Sequence, residues 1–169
     1  MLLGVQYKKY FINMILLAGT ILLGFTVTYQ FAANQEDIQL TDSWGYVPDI
    51  QLLEIFLNNL FISFLLLLGM FLFGITTFLV MTFNGIWIGV IAALFYIPDQ
   101  NIFKIMSVMM PHGVIEFAAF LIAASMGMTK FRNLEKKVVL RNIAVITGLL
   151  LLAAFVEITL SLKIVEGYI

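Results

Sequence analysis

The chain has 169 residues, 62% of them hydrophobic and only 11% charged, with a formal net charge of −1. Water-soluble domains run at about 45–50% apolar and about 25% charged residues, and a chain this small has too high a surface-to-volume ratio to hide more, so lipid must be the solvent for most of it. The abundance of Phe, Leu and Ile excludes disorder, the near-zero charge gives no broad basic field for nucleic acid, and the lack of cysteine removes disulfides, thiolate metal sites and cysteine nucleophiles together.

A spanning helix needs about 20 mostly apolar residues to cross about 30 Å of hydrocarbon. Residues 10–31 form the first such run, with Lys8 and Lys9 before it and Asn34, Gln35, Glu36 and Asp37 after it. A cleaved signal peptide is the competing reading. It is disfavoured because the run is too long and no clean small-residue cleavage site follows. Residues 34–49 are polar and acidic, with Glu36, Asp37, Asp42 and Asp49 and no Lys or Arg. Residues 51–59 have an amphipathic pattern, which predicts an interfacial helix running into the second span. Residues 61–96 are too long for one helix and adequate for two. Their polar notch, Thr82-Phe83-Asn84-Gly85, is expected as the turn between spans at 59–81 and 84–97. The third span is then short, and must borrow the notch residues or be broken.

Pro98, Asp99, Gln100 and Asn101 end that hairpin. The apolar piece 102–110 cannot cross a membrane alone. Proline fits the first turn of a helix and not its middle, so the fourth span is expected over 111–128, with 102–110 as an interfacial or re-entrant helix. One kinked helix over 102–128 is the alternative. Residues 130–141 are the basic segment, with Lys130, Arg132, Lys136, Lys137 and Arg141 against Glu135, and 142–162 is the fifth span. Lys and Arg in short loops mark the inner side. Five spans with the N-terminus inside place Lys8, Lys9 and the five basic-loop cations in the cytoplasm, and only Lys104 and Lys163 outside. The expected fold is an all-α integral membrane bundle of five helices, N-in and C-out, forming one transmembrane domain over 1–169 without soluble domains.

Charges inside a bilayer cost at least about 2.5–3.5 kcal/mol on insertion scales, so each needs a reason. Glu116 falls in the fourth span and Glu157 in the fifth. His112 precedes Glu116 by four residues, which puts both on one helical face. Asn58 and Asn59 open the second span. In the expected topology these groups, with Gly113 between His112 and Glu116, converge at one level of the outer leaflet. Three readings are open. The polar groups pin helices together, since buried polar groups in lipid need internal partners. They line a cavity for a substrate, a proton or a partner helix. Or His112, Glu116 and Glu157 bind a metal, although no H-E-x-x-H helix exists, and no metal or other cofactor is assigned. A Ser-His-Asp triad has no evident Ser or Asp partner for His112.

Gly85 and Gly89 form a GxxxG, and Ala119, Ala123 and Gly127 repeat every four residues. Such faces let helices approach closely, within the bundle in preference to a dimer. Trp44, Tyr46 and Tyr96 suit an outer interfacial belt. The basic segment enforces topology, or meets anionic lipid or a cytoplasmic subunit. No P-loop, Rossmann glycine pattern or EF-hand loop occurs, so coupling to ATP requires a separate ATPase. No inverted repeat is visible, which counts against the usual transporter design.

Three stretches together carry a family resemblance: Asn58-Asn59 leading through Gly69 and Gly74 to Asn84-Gly85 and Gly89; Pro111-His112-Gly113-Val114-Ile115-Glu116 followed by Ala118, Ala119, Ala123, Ala124 and Gly127; and Ala153-Ala154-Phe155-Val156-Glu157. From Asn58 to Glu157 the chain resembles the stage II sporulation protein M family of small polytopic membrane proteins. The PHG-x-x-E element is the specific part. The resemblance implies that Asn58, Asn59, His112, Gly113, Glu116 and Glu157 form one site, in a multi-pass protein of a bacterial plasma membrane. One branch of the family is part of a complex with peptidoglycan-degrading partners during sporulation engulfment. Short members accompany circular bacteriocins and resemble maturation or secretion factors. On that likeness the expected partners are lipids, other membrane subunits, a peptide substrate and an ABC-type ATPase docking at Lys130, Arg132, Lys136, Lys137 and Arg141. No catalytic residue is assigned.

Overall fold

The computed structural model describes residues 7–33 and 51–161. Among these, every regular element is helical: α1 Tyr7–Ala33, α2 Leu52–Leu68, α3 Ile75–Asp99, α4 Ile102–Gly127 and α5 Lys136–Val156. A 3-10 turn at Phe131–Asn133 precedes α5, and a π-helical turn at Glu157–Ser161 extends it. The acidic segment, with Trp44 and Tyr46, and the C-terminal Lys163 lie outside the described residues.

Four helices are long and apolar enough to cross a membrane, over Tyr7–Ala32, Ile75–Ile97, Ile105–Gly127 and Lys136–Leu160. The fifth, α2, is apolar but has only 17 residues, about 25 Å at 1.5 Å per residue.

The central helix is α4, which packs against all four others, while α1 lies mainly on α3. Sequence spacing explains both. Along α4, Ala119, Ala123 and Ala124 are fully buried, and burial is unbroken from Ile122 to Gly127. Helix α3 buries Thr77, Met81, Gly85, Gly89 and Ala93 at intervals of four, which makes one i±4 ridge. It meets the buried face of α1, formed by Asn13, Leu17, Thr20 and Gly24. There is no room between them for side chains. A Cβ on Gly24 would strike the carbonyl of Ile86, one on Gly85 the Thr20 hydroxyl, and one on Gly89 the carbonyl of Ile21. The GxxxG of α3 therefore faces α1 inside the bundle. The opposite face of α1, including Phe11, Ile15, Leu22, Leu23 and Phe31, is exposed, as a lipid-facing helix requires.

The hairpin between α2 and α3 corrects the expected spans at 59–81 and 84–97. Its turn is residues 69–74, not the notch at 82–85. Gly74 has φ +83° and its N–H donates to the Gly69 carbonyl at 2.8 Å, a backbone conformation that glycine adopts at no steric cost. The Thr77 hydroxyl donates to the Leu66 carbonyl at 2.8 Å and ties the two arms together. The notch residues stand within α3. Asn84 returns its amide to the Val80 carbonyl at 2.9 Å, so the helix itself satisfies a polar side chain in its interior, and Gly85 serves close packing. The third span is thus neither short nor broken.

Two further expectations are corrected. The amphipathic piece 51–59 is no separate interfacial helix: α2 runs unbroken from Leu52. Nor does the fourth helix begin at Pro111. Helix α4 starts at Ile102 and carries Pro111 inside it, the kinked-helix alternative, as proline is tolerated when neighbouring helices hold the chain. Its start is set by Asn101, whose side-chain oxygen accepts the Phe103 N–H at 3.1 Å, a helix N-cap.

The N-terminal end of α1, the α2–α3 turn and the α4–α5 loop meet at one end of the bundle. The Lys9 ammonium donates to the Met128 carbonyl at 3.1 Å and to the Thr129 hydroxyl at 2.8 Å. The Phe131 N–H reaches the Met70 carbonyl at 3.4 Å. Lys9 sits where the carbonyls of α4 run out, a favourable place for a cation. At the other end Tyr96 tilts against Phe25 and Tyr29, with ring centroids 5.7 and 5.9 Å away.

Candidate polar site within the helical bundle

Asn59 lies on the buried stripe of α2 with Ile55, Ser63 and Leu66. Its amide nitrogen donates to Oε1 of Glu116 on α4. Glu157, the first residue of the π-helical turn, brings a second carboxyl near that of Glu116. A π-turn widens the helix by one residue and is often found where a side chain must be aimed at a site. Here it packs against α4. Three elements thus bring one amide and two carboxyls together. Both carboxyl residues are half-buried and Asn59 is buried.

Glu116 stands eleven residues from either end of the apolar stretch Ile105–Gly127. Extending α4 back to Ile102 therefore moves it from the expected outer leaflet to the middle of its helix.

His112 and Gly113 line a cavity of about 290 Å³ between α1, α3 and α4, which Glu116 also reaches. Its other walls include Ile21, Ile88, Ala92, Met106, Met109 and Met110. A Cβ at Gly113 would meet no atom within 4 Å, so this glycine leaves space where those of α3 remove it. Glu116 is the shared element: one face of its helix touches the cavity, and its carboxyl is held by Asn59.

Asn58 does not join this group, a correction to the expected pairing. Adjacent residues of a helix point about 100° apart. While Asn59 turns inward, Asn58 is exposed and lines a groove of about 520 Å³ between α2 and α3 with Asn84 and Trp87. The metal reading also fails on geometry. Among the described residues no three His, Cys, Asp or Glu side chains lie close enough to hold an ion.

Of the packing residues, Ala119 and Ala123 are fully buried, and a Cβ on Gly127 would collide with the Leu66 carbonyl of α2. In the basic segment, Lys130, Arg132, Lys136, Lys137 and Arg141 are all exposed. Sequence reasoning passed over several buried polar residues. Asn13, Ser63, Thr77, Ser125 and Asn142 are almost wholly buried. Each falls on its helix's buried stripe, and that periodicity was the available signal.

The fold and site define an all-helical membrane bundle with a carboxyl–amide cluster between its central helices. The family model described as Stage II sporulation protein M matches residues 12–162, nearly the whole chain, and the chain belongs to that family. Comparison with curated proteins and with solved structures finds no match.

Proposed function

We propose that this protein is a non-ATPase membrane component of a multi-protein assembly that matures or exports an apolar peptide of the circular-bacteriocin type, driven by a separate ABC-type ATPase. The observation that carries the reading is the Asn59–Glu116–Glu157 cluster beside a cavity walled by Met106, Met109 and Met110. Thioether side chains are flexible and polarisable and repack around varied apolar partners. Glu116 supplies a polar contact at the edge of the same space. Such a site suits an apolar peptide segment with a few hydrogen-bonding groups better than a hydrophilic solute. The sequence has no P-loop, so coupling to ATP in such an assembly would need a separate ATPase subunit.

The first test is purification in mild detergent from the native host, with mass spectrometry of what accompanies the protein. A cytoplasmic ATP-binding subunit and a small peptide are expected. Peptidoglycan hydrolases without an ATPase would overturn this reading in favour of a scaffold for wall remodelling. A second test separates use of the cluster from mere support. Glu116→Gln and Glu157→Gln should leave the protein in the membrane at normal levels and abolish peptide production. Loss of folded protein in both would show that the carboxyls only hold helices together.

A further inference from the structure

We propose that the cleft between the α2–α3 turn and the α4–α5 loop is a binding site for one anionic phospholipid. The cleft has a volume of about 470 Å³ and is lined by Met70, Phe71, Phe73, Lys130, Phe131 and Arg132. It lies apart from the Glu116 cluster and does not depend on the function proposed for that cluster.

Its walls combine two chemistries that seldom share a surface without a reason. Phe71 and Phe131 stack with ring centroids 5.2 Å apart and an interplanar angle of 27°, and both remain exposed. Phe73 is 81% exposed, and its backbone has φ +54°, a conformation that a large side chain rarely adopts. The 69–74 turn thus holds an aromatic ring outward at the end of the bundle. Over that ring stands the Lys130 ammonium, 5.6 Å from the centroid. Arg132 lines the same cleft, and among the described residues no ion pair engages either cation.

The occupant follows from charge and polarity. A lysine offers a point charge to phosphate, and an arginine offers a planar fork that grips two of its oxygens. Phenyl rings have no polar handle and pack against the upper acyl chain of a lipid. A free phosphate would use the cations and leave three phenyl rings in water. A lipid uses both, and the bilayer supplies it at the height where a turn between spanning helices emerges. Lys8, Lys136, Lys137 and Arg141 belong to the same basic end, so the surrounding field favours an anionic headgroup over a zwitterionic one.

The test uses the full-length protein in neutral detergent, with native mass spectrometry and thermal unfolding. Phosphatidylglycerol should remain bound and raise the melting temperature, while phosphatidylcholine should do neither. A charge-assisted hydrogen bond to a phosphate oxygen is worth roughly tenfold or more in binding, so K130A/R132A should weaken phosphatidylglycerol retention by at least about tenfold. K136A/K137A removes as much charge outside the cleft and should retain the lipid. Equal retention of phosphatidylcholine by the unaltered protein would overturn the proposal whether or not the variants fold. So would an equal loss in both double variants, which would mean diffuse surface charge, or displacement of the lipid by inorganic phosphate alone, which would mean a free-anion site.

Discussion

Asn59 and Glu116 form the contact on which the polar site turns, because it joins a short helix to the central one through a side-chain hydrogen bond in apolar surroundings. Interhelical hydrogen bonds in membranes contribute about 0.6–2 kcal/mol, since the unfolded helices also find partners in lipid. A double-mutant cycle with Asn59→Ala and Glu116→Ala should give a coupling energy in that range, read from unfolding in mixed micelles. A coupling of zero would mean that the two side chains act independently. Glu157 should behave differently. The Asn59 amide is engaged by Glu116, so the coupling of Glu157 to Asn59 should be the weaker of the two. Lys9 adds a structural role that charge counting does not reveal. Its ammonium donates to the carbonyl of Met128 and to the hydroxyl of Thr129, so it ties α1 to the end of α4.

At the scale of elements, glycine does two opposite things. Gly85 and Gly89 let α3 touch α1 with no side chain between them, whereas Gly113 borders open space. Gly89→Leu should therefore force α1 from α3 and cost about 1–3 kcal/mol or more, while Gly113→Ala should leave stability nearly unchanged. Melting temperatures of the two variants in one detergent check this, and equal losses would contradict the close α1–α3 contact. The same glycines show what the sequence makes legible. The GxxxG face, the burial of Ala119 and Ala123 and the grouping of Asn59 with Glu116 follow from helical periodicity and from the need of polar groups in lipid for partners. The α2–α3 turn was not legible, because two ordinary signals pointed the wrong way. Asn84-Gly85 has the composition of a turn, but in a lipid-facing helix Asn84 closes on its own backbone. The actual turn, Gly69-Met70-Phe71-Leu72-Phe73-Gly74, holds no polar side chain. Its polarity is entirely in the backbone, and Phe131 stacks on Phe71 at one side of it. Asn58 was misplaced for a related reason: neighbours in sequence are not neighbours on a helix.

At the scale of the molecule, the connections among the described residues fall at two ends. The N-terminal end of α1, the 69–74 turn and the α4–α5 loop lie together at the basic end, while the two-residue link Gln100-Asn101 joins α3 to α4 at the other. The internal geometry thus fixes which connections share a side. Lys8, Lys9, Lys130, Arg132, Lys136, Lys137 and Arg141 gather at one end, and on the rule that basic loops stay inside we propose that this end faces the cytoplasm. The chain has no cysteine, so single cysteines report position without removing any native one. In intact cells, Gln100→Cys should react with a membrane-impermeant maleimide, whereas Phe71→Cys and Arg132→Cys should react only after the membrane is opened. The correction to the hairpin makes the experiment sharper. With a turn at 69–74, Phe71→Cys is accessible from the inside and Gly85→Cys is buried against α1, whereas a turn at 82–85 would reverse the two. Labelling of Gly85→Cys but not Phe71→Cys in opened membranes would move the turn back to the notch. Labelling of Gln100→Cys and Arg132→Cys from the same side would break the alternation on which the packing of α4 against α5 depends.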